Sequence, residues 1–175
     1  MRRRIVMLIL ILACFLAQCT VWGMFPAGNV KPNLLLVLTV SFALMRGRKS
    51  GMVTGLISGL VMDLYFSSYF GLCGLIYMYI GYFVGGLYKI FFDEDIRMPL
   101  LLVAVSDFAY GIIYYVFRLL FRMKFNFPAY LKHIIVPELV YTIAITLVLY
   151  RIFYLINRKL AEREREEEES PWLLK

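Results

Sequence analysis

The sequence predicts an all-α fold, a polytopic membrane bundle of about six transmembrane helices. Of its 175 residues, 62% are hydrophobic and 18% are charged, whereas soluble domains are about half apolar and about a quarter charged. The apolar residues form six runs, separated by short segments rich in charge, glycine or proline. Because a helix satisfies its own backbone hydrogen bonds in lipid, such runs are typical of membrane-spanning helices.

The predicted helices follow one another closely. The basic residues Arg2, Arg3 and Arg4 resemble the start of a signal peptide, but the later apolar runs favour an uncleaved first helix. The second helix would cover only about 18 Å, so it must borrow flanking residues or lie where the protein is thin. Pro137 falls in the first turn of the sixth helix, where a missing N–H costs little. The expected helices are residues 5–22, 34–45, 51–66, 72–92, 98–120 and 134–156.

A charged tail, residues 158–175, follows the expected bundle of residues 1–157. Its five basic residues nearly balance its six glutamates, which is typical of a solvated helix or coil. It ends on Trp172-Leu173-Leu174. Those apolar residues leave two interpretations open, a segment that contacts the membrane surface or a cytoplasmic partner, and a merely solubilising tail.

Basic residues predict the orientation. With six spans and both termini in the cytoplasm, 14 of the 19 Lys and Arg residues fall on the inner side. Cytoplasmic segments of membrane proteins carry such an excess. The basic segment 118–132 would lie outside, so a five-span topology also stays open.

The strongest local pattern is a pair of glycine stripes. Every fourth residue from Gly51 to Asp63 lies on one slowly slanting helical face. Glycines on such a face let a second backbone approach closely, which favours helix association in lipid. The next helix carries its own stripe, so the two are predicted to pack as a tight hairpin. The predicted packing glycines are Gly51, Gly55 and Gly59, and Gly74, Gly81 and Gly85.

Four ionisable residues fall at membrane depth: Asp63, Asp107, Arg118 and Glu138. A carboxylate at the bilayer centre costs about 2.5–3.5 kcal/mol, so these groups are expected to face inward, protonated or paired. Arg118 is the nearest candidate partner for Asp107 on the same helix face. The acids could form a proton or substrate path or a catalytic pair, or they could only hold helices together by hydrogen bonds.

The sequence contains no recognisable catalytic or metal-binding motif, so it predicts neither an enzyme nor a cofactor. The single histidine, His133, lacks a second ligand for a metal, and the three cysteines lie inside apolar runs. No G-x-S-x-G turn or nucleotide-binding fingerprint occurs in a suitable context. Because the basic residues mostly lie at helix ends, the net charge of +7 does not indicate nucleic-acid binding.

The hairpin sequence carries a resemblance. The segment from Gly55 to Leu64, GLISGLVMDL, followed by Phe70-Gly71-Leu72, resembles the rod shape-determining protein MreD family. The basic amino terminus, the Pro32-Asn33 opening of the second helix and the chain length agree with it. The resemblance implies a bacterial inner-membrane scaffold of the cell-elongation machinery that supports lateral peptidoglycan synthesis.

The same resemblance implies partners. They are a bitopic MreC-like protein and, directly or indirectly, an MreB-like cytoplasmic actin and the peptidoglycan synthases, within the lipid bilayer. The first, second and sixth helices are expected to offer smooth apolar faces to lipid or a partner helix. The family is also similar in helix layout to the S components of energy-coupling-factor transporters. The alternative function is therefore a vitamin-type substrate-binding component of a transporter.

Overall fold

The computed structural model describes residues 2–24, 32–66, 70–87, 97–122 and 130–169, and these form six α-helices with no strand among them. A π-helical turn, Leu131–Ile135, leads directly into the last helix. The helices are α1 (Arg2–Met24), α2 (Leu34–Arg46), α3 (Arg48–Phe66), α4 (Leu72–Gly86), α5 (Arg97–Arg122) and α6 (Val136–Glu169).

Helix α2 is the centre of the fold. Every residue from Leu34 to Met45 is buried, and each of the other five helices packs against it. The expectation that the second helix offers a face to lipid or to a partner is therefore wrong. A uniformly apolar helix carries no signal that separates contact with lipid from contact with protein, because both environments are apolar.

Both ends of α2 are closed by specific contacts. At its start, Asn33 is the N-cap, and its side-chain oxygen accepts the N–H of Leu36 at 3.3 Å. Gln18 of α1 accepts the neighbouring N–H of Leu35 at 3.4 Å. At the other end Gly47 has φ 81°, a conformation that favours glycine, and its N–H donates to Ala43 at 2.9 Å. Helix α3 begins at the next residue.

Helix α4 packs along α3 as an antiparallel hairpin and ends earlier than the sequence indicates. Its last helical residue is Gly86, where the expectation extended the helix to Phe92. The N–H of Leu87 turns back to the carbonyl of Val84 at 3.0 Å, which tightens the last turn. Residues 88–92 lie outside the described part of the chain.

The last helical segment, the π-helical turn and α6 together, is longer than expected at both ends. The π-helical turn precedes α6, and α6 itself continues beyond residue 156 to Glu169. Its 34 residues correspond to a rod about 51 Å long. Arg158 and Glu162, one turn apart, pair at 3.0 Å, and such pairs support an exposed helix.

Two described segments are long and apolar enough to cross a bilayer, Arg97–Phe117 and Leu131–Glu162. Three further apolar segments are shorter: Ile5–Thr20, Leu34–Arg46 and Leu72–Gly86. The sequence also indicates loops at residues 23–33, 93–97 and 121–132, but the structure has helix at 23–24, at Arg97, at 121–122 and from residue 130 onward. The remaining parts at 25–31, 93–96 and 123–129 lie outside the described residues, as do the side chain of Arg118 and the Trp172-Leu173-Leu174 ending.

Candidate functional site

The interface between α3 and α4 is a contact of backbone against backbone. A β-carbon added to Gly59 would lie 2.5 Å from the carbonyl oxygen of Cys73, which is far inside contact distance. Gly55 meets the backbone of Tyr77 in the same manner, and Gly51 meets that of Gly81. Neither helix could carry a larger residue at these positions without moving away from the other.

The same interface continues at both ends of the hairpin. Gly74 faces the side chain of Leu60, and Gly85 lies against the backbone of Arg48, 2.7 Å from where its β-carbon would stand. The Arg48 guanidinium then extends over the Tyr82 ring, 5.2 Å from its centroid. All six glycines singled out from the sequence therefore lie on the α3–α4 hairpin interface.

Asp63 caps α4 from the neighbouring helix. Its Oδ2 accepts the N–H groups of Gly71 at 3.0 Å and Gly74 at 2.9 Å, and its Oδ1 accepts that of Cys73 at 3.0 Å. Gly71 occupies the N-cap position of α4 with φ 95° and has no side chain to close the helix. Asp63 supplies the missing cap, and its negative charge suits the positive end of the helix dipole.

A second set of contacts converges on Asn33. Its Oδ1 accepts the hydroxyl of Tyr77 from α4 at 2.5 Å, in addition to the Leu36 N–H. Its backbone N–H donates to the Thr142 hydroxyl of α6 at 3.2 Å. Because a backbone N–H can only donate, the Leu36 contact fixes which amide atom is the oxygen. One buried residue thus joins α2, α4 and α6.

Asp107 of α5 adds the fourth helix to this cluster. It is buried and faces both Thr142 and Asn33. Its Oδ1 and the Nδ2 of Asn33 have no hydrogen-bond partner among the described residues. We call Asn33, Tyr77, Asp107 and Thr142 the Asn33 cluster. It ties four helices together through polar atoms that are sealed from solvent.

The cluster has an aromatic and acidic border. Tyr110 packs edge-on against Tyr77, with ring centroids 5.4 Å apart. Glu138 is half-buried one turn before Thr142 and lies near both tyrosines. Of the three acids that the sequence singled out, Asp63 caps α4, Asp107 belongs to the Asn33 cluster, and Glu138 lies at the border of that cluster. Arg118 lies on α5, with its side chain outside the described part.

This arrangement offers no recognisable catalytic chemistry. In the described part of the chain, no group of three His, Cys, Asp or Glu side chains could hold a metal ion. The hydroxyl groups of Thr39, Thr54 and Thr146 donate to carbonyl groups of their own helices, and that of Tyr77 donates to Asn33. The Thr142 hydroxyl accepts the Asn33 N–H and faces the Asp107 carboxylate, within the cluster already described. What the cluster can do is fix the mutual positions of four helices.

Sequence reasoning missed Asn33 and Tyr77 as site residues. A signal for Asn33 exists, because an asparagine immediately before a long apolar run is a typical helix N-cap. No comparable signal exists for Tyr77, which is one of 13 tyrosines. Only its buried contact with Asn33 in the folded protein distinguishes it.

The outer surface of the bundle carries many exposed apolar side chains, whereas the polar Asn33 cluster is buried inside. Leu8, Phe83 and Val148 on three different helices all expose half or more of their surface. Fold and site together define the class of apolar-surfaced helical bundles found in membranes. The family model of the rod shape-determining protein MreD matches residues 1–160, and the chain belongs to this family. No curated protein and no solved structure matches the chain, so the likeness of layout to transporter S components has no support from a structure.

Membership of this family makes the protein a membrane component that determines rod shape. The family is one of structural, shape-determining proteins and is not known for catalysis.

Proposed function

We propose that the protein is a scaffold of the rod-shape machinery, which supports lateral peptidoglycan synthesis by holding partner proteins through helix contacts. On this proposal it crosses the inner membrane several times, with both termini in the cytoplasm. A bitopic MreC-like protein is the proposed direct partner. An MreB-like actin and the wall synthases would be reached directly or through that partner.

The observation that carries the proposal is that the Asp63 carboxylate is fully used as the cap of α4. An acid that couples transport must change its protonation or its ligand during the cycle. Asp63 instead holds three backbone N–H groups at the start of α4. Release of this carboxylate would leave the start of α4 without its cap, so Asp63 is suited to a fixed structure. The glycine contacts along the hairpin favour the same rigidity.

The decisive experiment neutralises the other two acids. Asp107→Asn and Glu138→Gln are made singly, and cell shape is scored together with co-purification of the MreC-like partner. A scaffold tolerates both changes, because both side chains keep their size and polarity. Asp63→Asn does not belong in this test, because an amide offers one acceptor where the cap uses two oxygens.

The Asp107→Asn and Glu138→Gln variants distinguish a scaffold from a proton-coupled transporter. Normal rod shape and normal partner recovery with both variants support the scaffold. Loss of rod shape in a variant that is folded and still binds its partner would contradict it and favour proton-coupled transport.

A second candidate is a small-molecule binding component of a transporter. One observation favours it: the donor Nδ2 of Asn33 and the acceptor Oδ1 of Asp107 lie on side chains that face each other, yet both atoms are buried with no hydrogen-bond partner within the described part of the chain. Such a pair could hold a small polar ligand if α5 and α6 moved apart. Mass spectrometry of the purified protein distinguishes the two functions, because a carrier would retain a stoichiometric small molecule.

A further inference from the structure

An apolar groove of about 790 Å³ runs along the outside of the bundle between α4 and α5. These helices are neighbours in the chain, yet they touch each other only sparsely, whereas α3 and α4 pack closely. The floor contains buried residues such as Ile80, Val84 and Ser106, and the rim carries exposed aromatic rings such as Phe83. The groove is therefore a shaped surface and not merely a lipid-facing side of one helix.

We propose that this groove seats a single transmembrane helix of another protein. The inference rests on the proposed scaffold function and names the surface that performs it. Three features of the groove, its length, its floor and its rim, distinguish a helix from a lipid tail as the occupant.

The length of the groove is the first feature. On α4 its lining runs from Leu72 to Leu87, and on α5 from Leu102 to Phe117. Each stretch corresponds to about 22 Å, or about four helical turns. An acyl chain from one leaflet reaches only to the bilayer midplane, about 15 Å. A groove that continues without interruption past that depth fits one continuous rod better than two tails that meet end to end.

The floor is the second feature. Ser106 and Ala109 lie one turn apart on α5, and both line the groove. Between helices in lipid, close approach depends on such small residues, and a serine hydroxyl can add a hydrogen bond across the contact. The glycines of α4 cannot serve this purpose, because they are already packed against α3.

The rim is the third feature. Tyr79 and Phe83 of α4 and Phe117 of α5 stand along the groove with much of their surface exposed. Aromatic residues beside a small-residue floor are typical of an anchoring contact between proteins. The expected occupant is an apolar helix with small residues on the side that enters the groove.

The test places a photocrosslinking residue in the groove. p-Benzoylphenylalanine replaces Phe83 or Val105 in the full chain, which is co-expressed with the single-pass protein of the same rod-shape system. Matched controls replace Val148 on α6 and Leu12 on α1, which are as exposed but lie on other faces. Co-purification of the two unmodified proteins is measured in parallel.

A blocking variant gives an independent measurement. Ala109→Trp fills the floor, and Ala144→Trp adds the same ring on an exposed part of α6 outside the groove. We expect Ala109→Trp to lower partner recovery about tenfold or more, the loss of one strong anchoring contact. Ala144→Trp is expected to leave recovery unchanged, and both variants must reach the membrane in normal amount.

Each outcome decides the matter. Crosslinks to the partner from the groove positions alone, with loss of recovery in Ala109→Trp only, support the proposal. Partner crosslinks from Val148 or Leu12 alone, or only lipid adducts in the groove while the partner still co-purifies, overturn the groove and leave the scaffold intact. Failure of the unmodified proteins to co-purify overturns the scaffold function and the groove together.

Discussion

Gly51 of α3 and Gly81 of α4 face each other so closely that a β-carbon on either would collide with the backbone of the other. The contact is reciprocal: the added atom would meet the carbonyl group of the opposite glycine in both directions. This position therefore fixes the separation of the two helices between the start of α3 and the second half of α4. Adding a single methyl group along this interface is enough to test the contact.

Adjacent glycines at the end of α4 provide a matched test. Gly85→Ala should destabilise the bundle by about 1–3 kcal/mol, the usual cost of overpacking, because its β-carbon would meet the Arg48 backbone at 2.7 Å. Gly86→Ala should cost much less, because it meets only the mobile end of the Arg48 side chain at 3.0 Å. Thermal unfolding in detergent measures both. Equal melting temperatures for the two variants would contradict the packing argument.

Removal of the Asp63 cap should loosen the start of α4. Asp63→Ala leaves three N–H groups without their acceptor, and each buried orphan group costs about 1–3 kcal/mol. Asp63→Asn should also destabilise, although less, since one oxygen remains. Hydrogen exchange at the amides of Cys73 and Gly74 reports the effect directly. Slow exchange of both amides in Asp63→Ala would show that the carboxylate is dispensable.

The Tyr77 hydroxyl offers a gentler test of the Asn33 cluster. Tyr77→Phe deletes one hydrogen bond to Asn33 and should lower the free energy of unfolding by about 0.5–1.5 kcal/mol. The loss is limited because the Asn33 oxygen keeps the Leu36 N–H. Tyr79→Phe, two residues away on the exposed side of α4, is the control and should have no effect. A melting temperature for Tyr77→Phe equal to that of the unmodified protein would argue against the cluster as a structural tie.

The glycine interface was predictable because its information is local. Gly51, Gly55 and Gly59 recur at a helical spacing, and both helices of the hairpin carry a stripe, so the sequence alone indicates which faces meet. The outcome needed no knowledge of distant parts of the chain. The six apolar runs likewise predict helices from local sequence alone, and the structure has six α-helices in its described residues.

The roles of Asp63 and Asn33 could not be predicted, for two different reasons. Asp63 binds backbone N–H groups eight to eleven residues ahead, and backbone groups leave no trace in the sequence. Asn33 has a recognisable capping position, but its contact with Thr142 spans 109 residues. Such a pairing depends on how α2 and α6 pack, and both helices are apolar along most of their length. The central position of α2 was hidden for the same reason.

The proposed topology places the turn between α3 and α4 outside the cell membrane and the far end of α6 inside. Phe70→Cys and Glu162→Cys, both at exposed positions, are made in a background with Cys19 replaced by serine. A membrane-impermeant thiol reagent applied to intact spheroplasts should label Phe70→Cys alone. It should label Glu162→Cys only after the membrane is opened. Labelling of both in intact spheroplasts would rule out the six-span arrangement.

Deletion of residues 158–175 tests whether the charged extension has a partner. We expect the truncated protein to reach the membrane in normal amount, because α6 is already tied to the bundle before this segment, by Thr142 to Asn33 and by Asn157 to Arg46. We also expect it to complement a rod-shape defect only weakly. Full complementation would mean that the extension acts as a solubiliser. Reversal of the exposed Arg158–Glu162 pair is the control, and it should have little effect because such pairs contribute at most about 1 kcal/mol.

The enclosure of α2 dictates an order of events during synthesis. This helix leaves the ribosome second, yet its capping residue Asn33 is itself bonded to Tyr77 and Thr142, which emerge much later. Until α6 is in place, the backbone N–H of Asn33 lacks its Thr142 acceptor. Nascent chains that stop before residue 142 should therefore be prominent substrates for membrane quality-control proteases, whatever the state of their glycine hairpin.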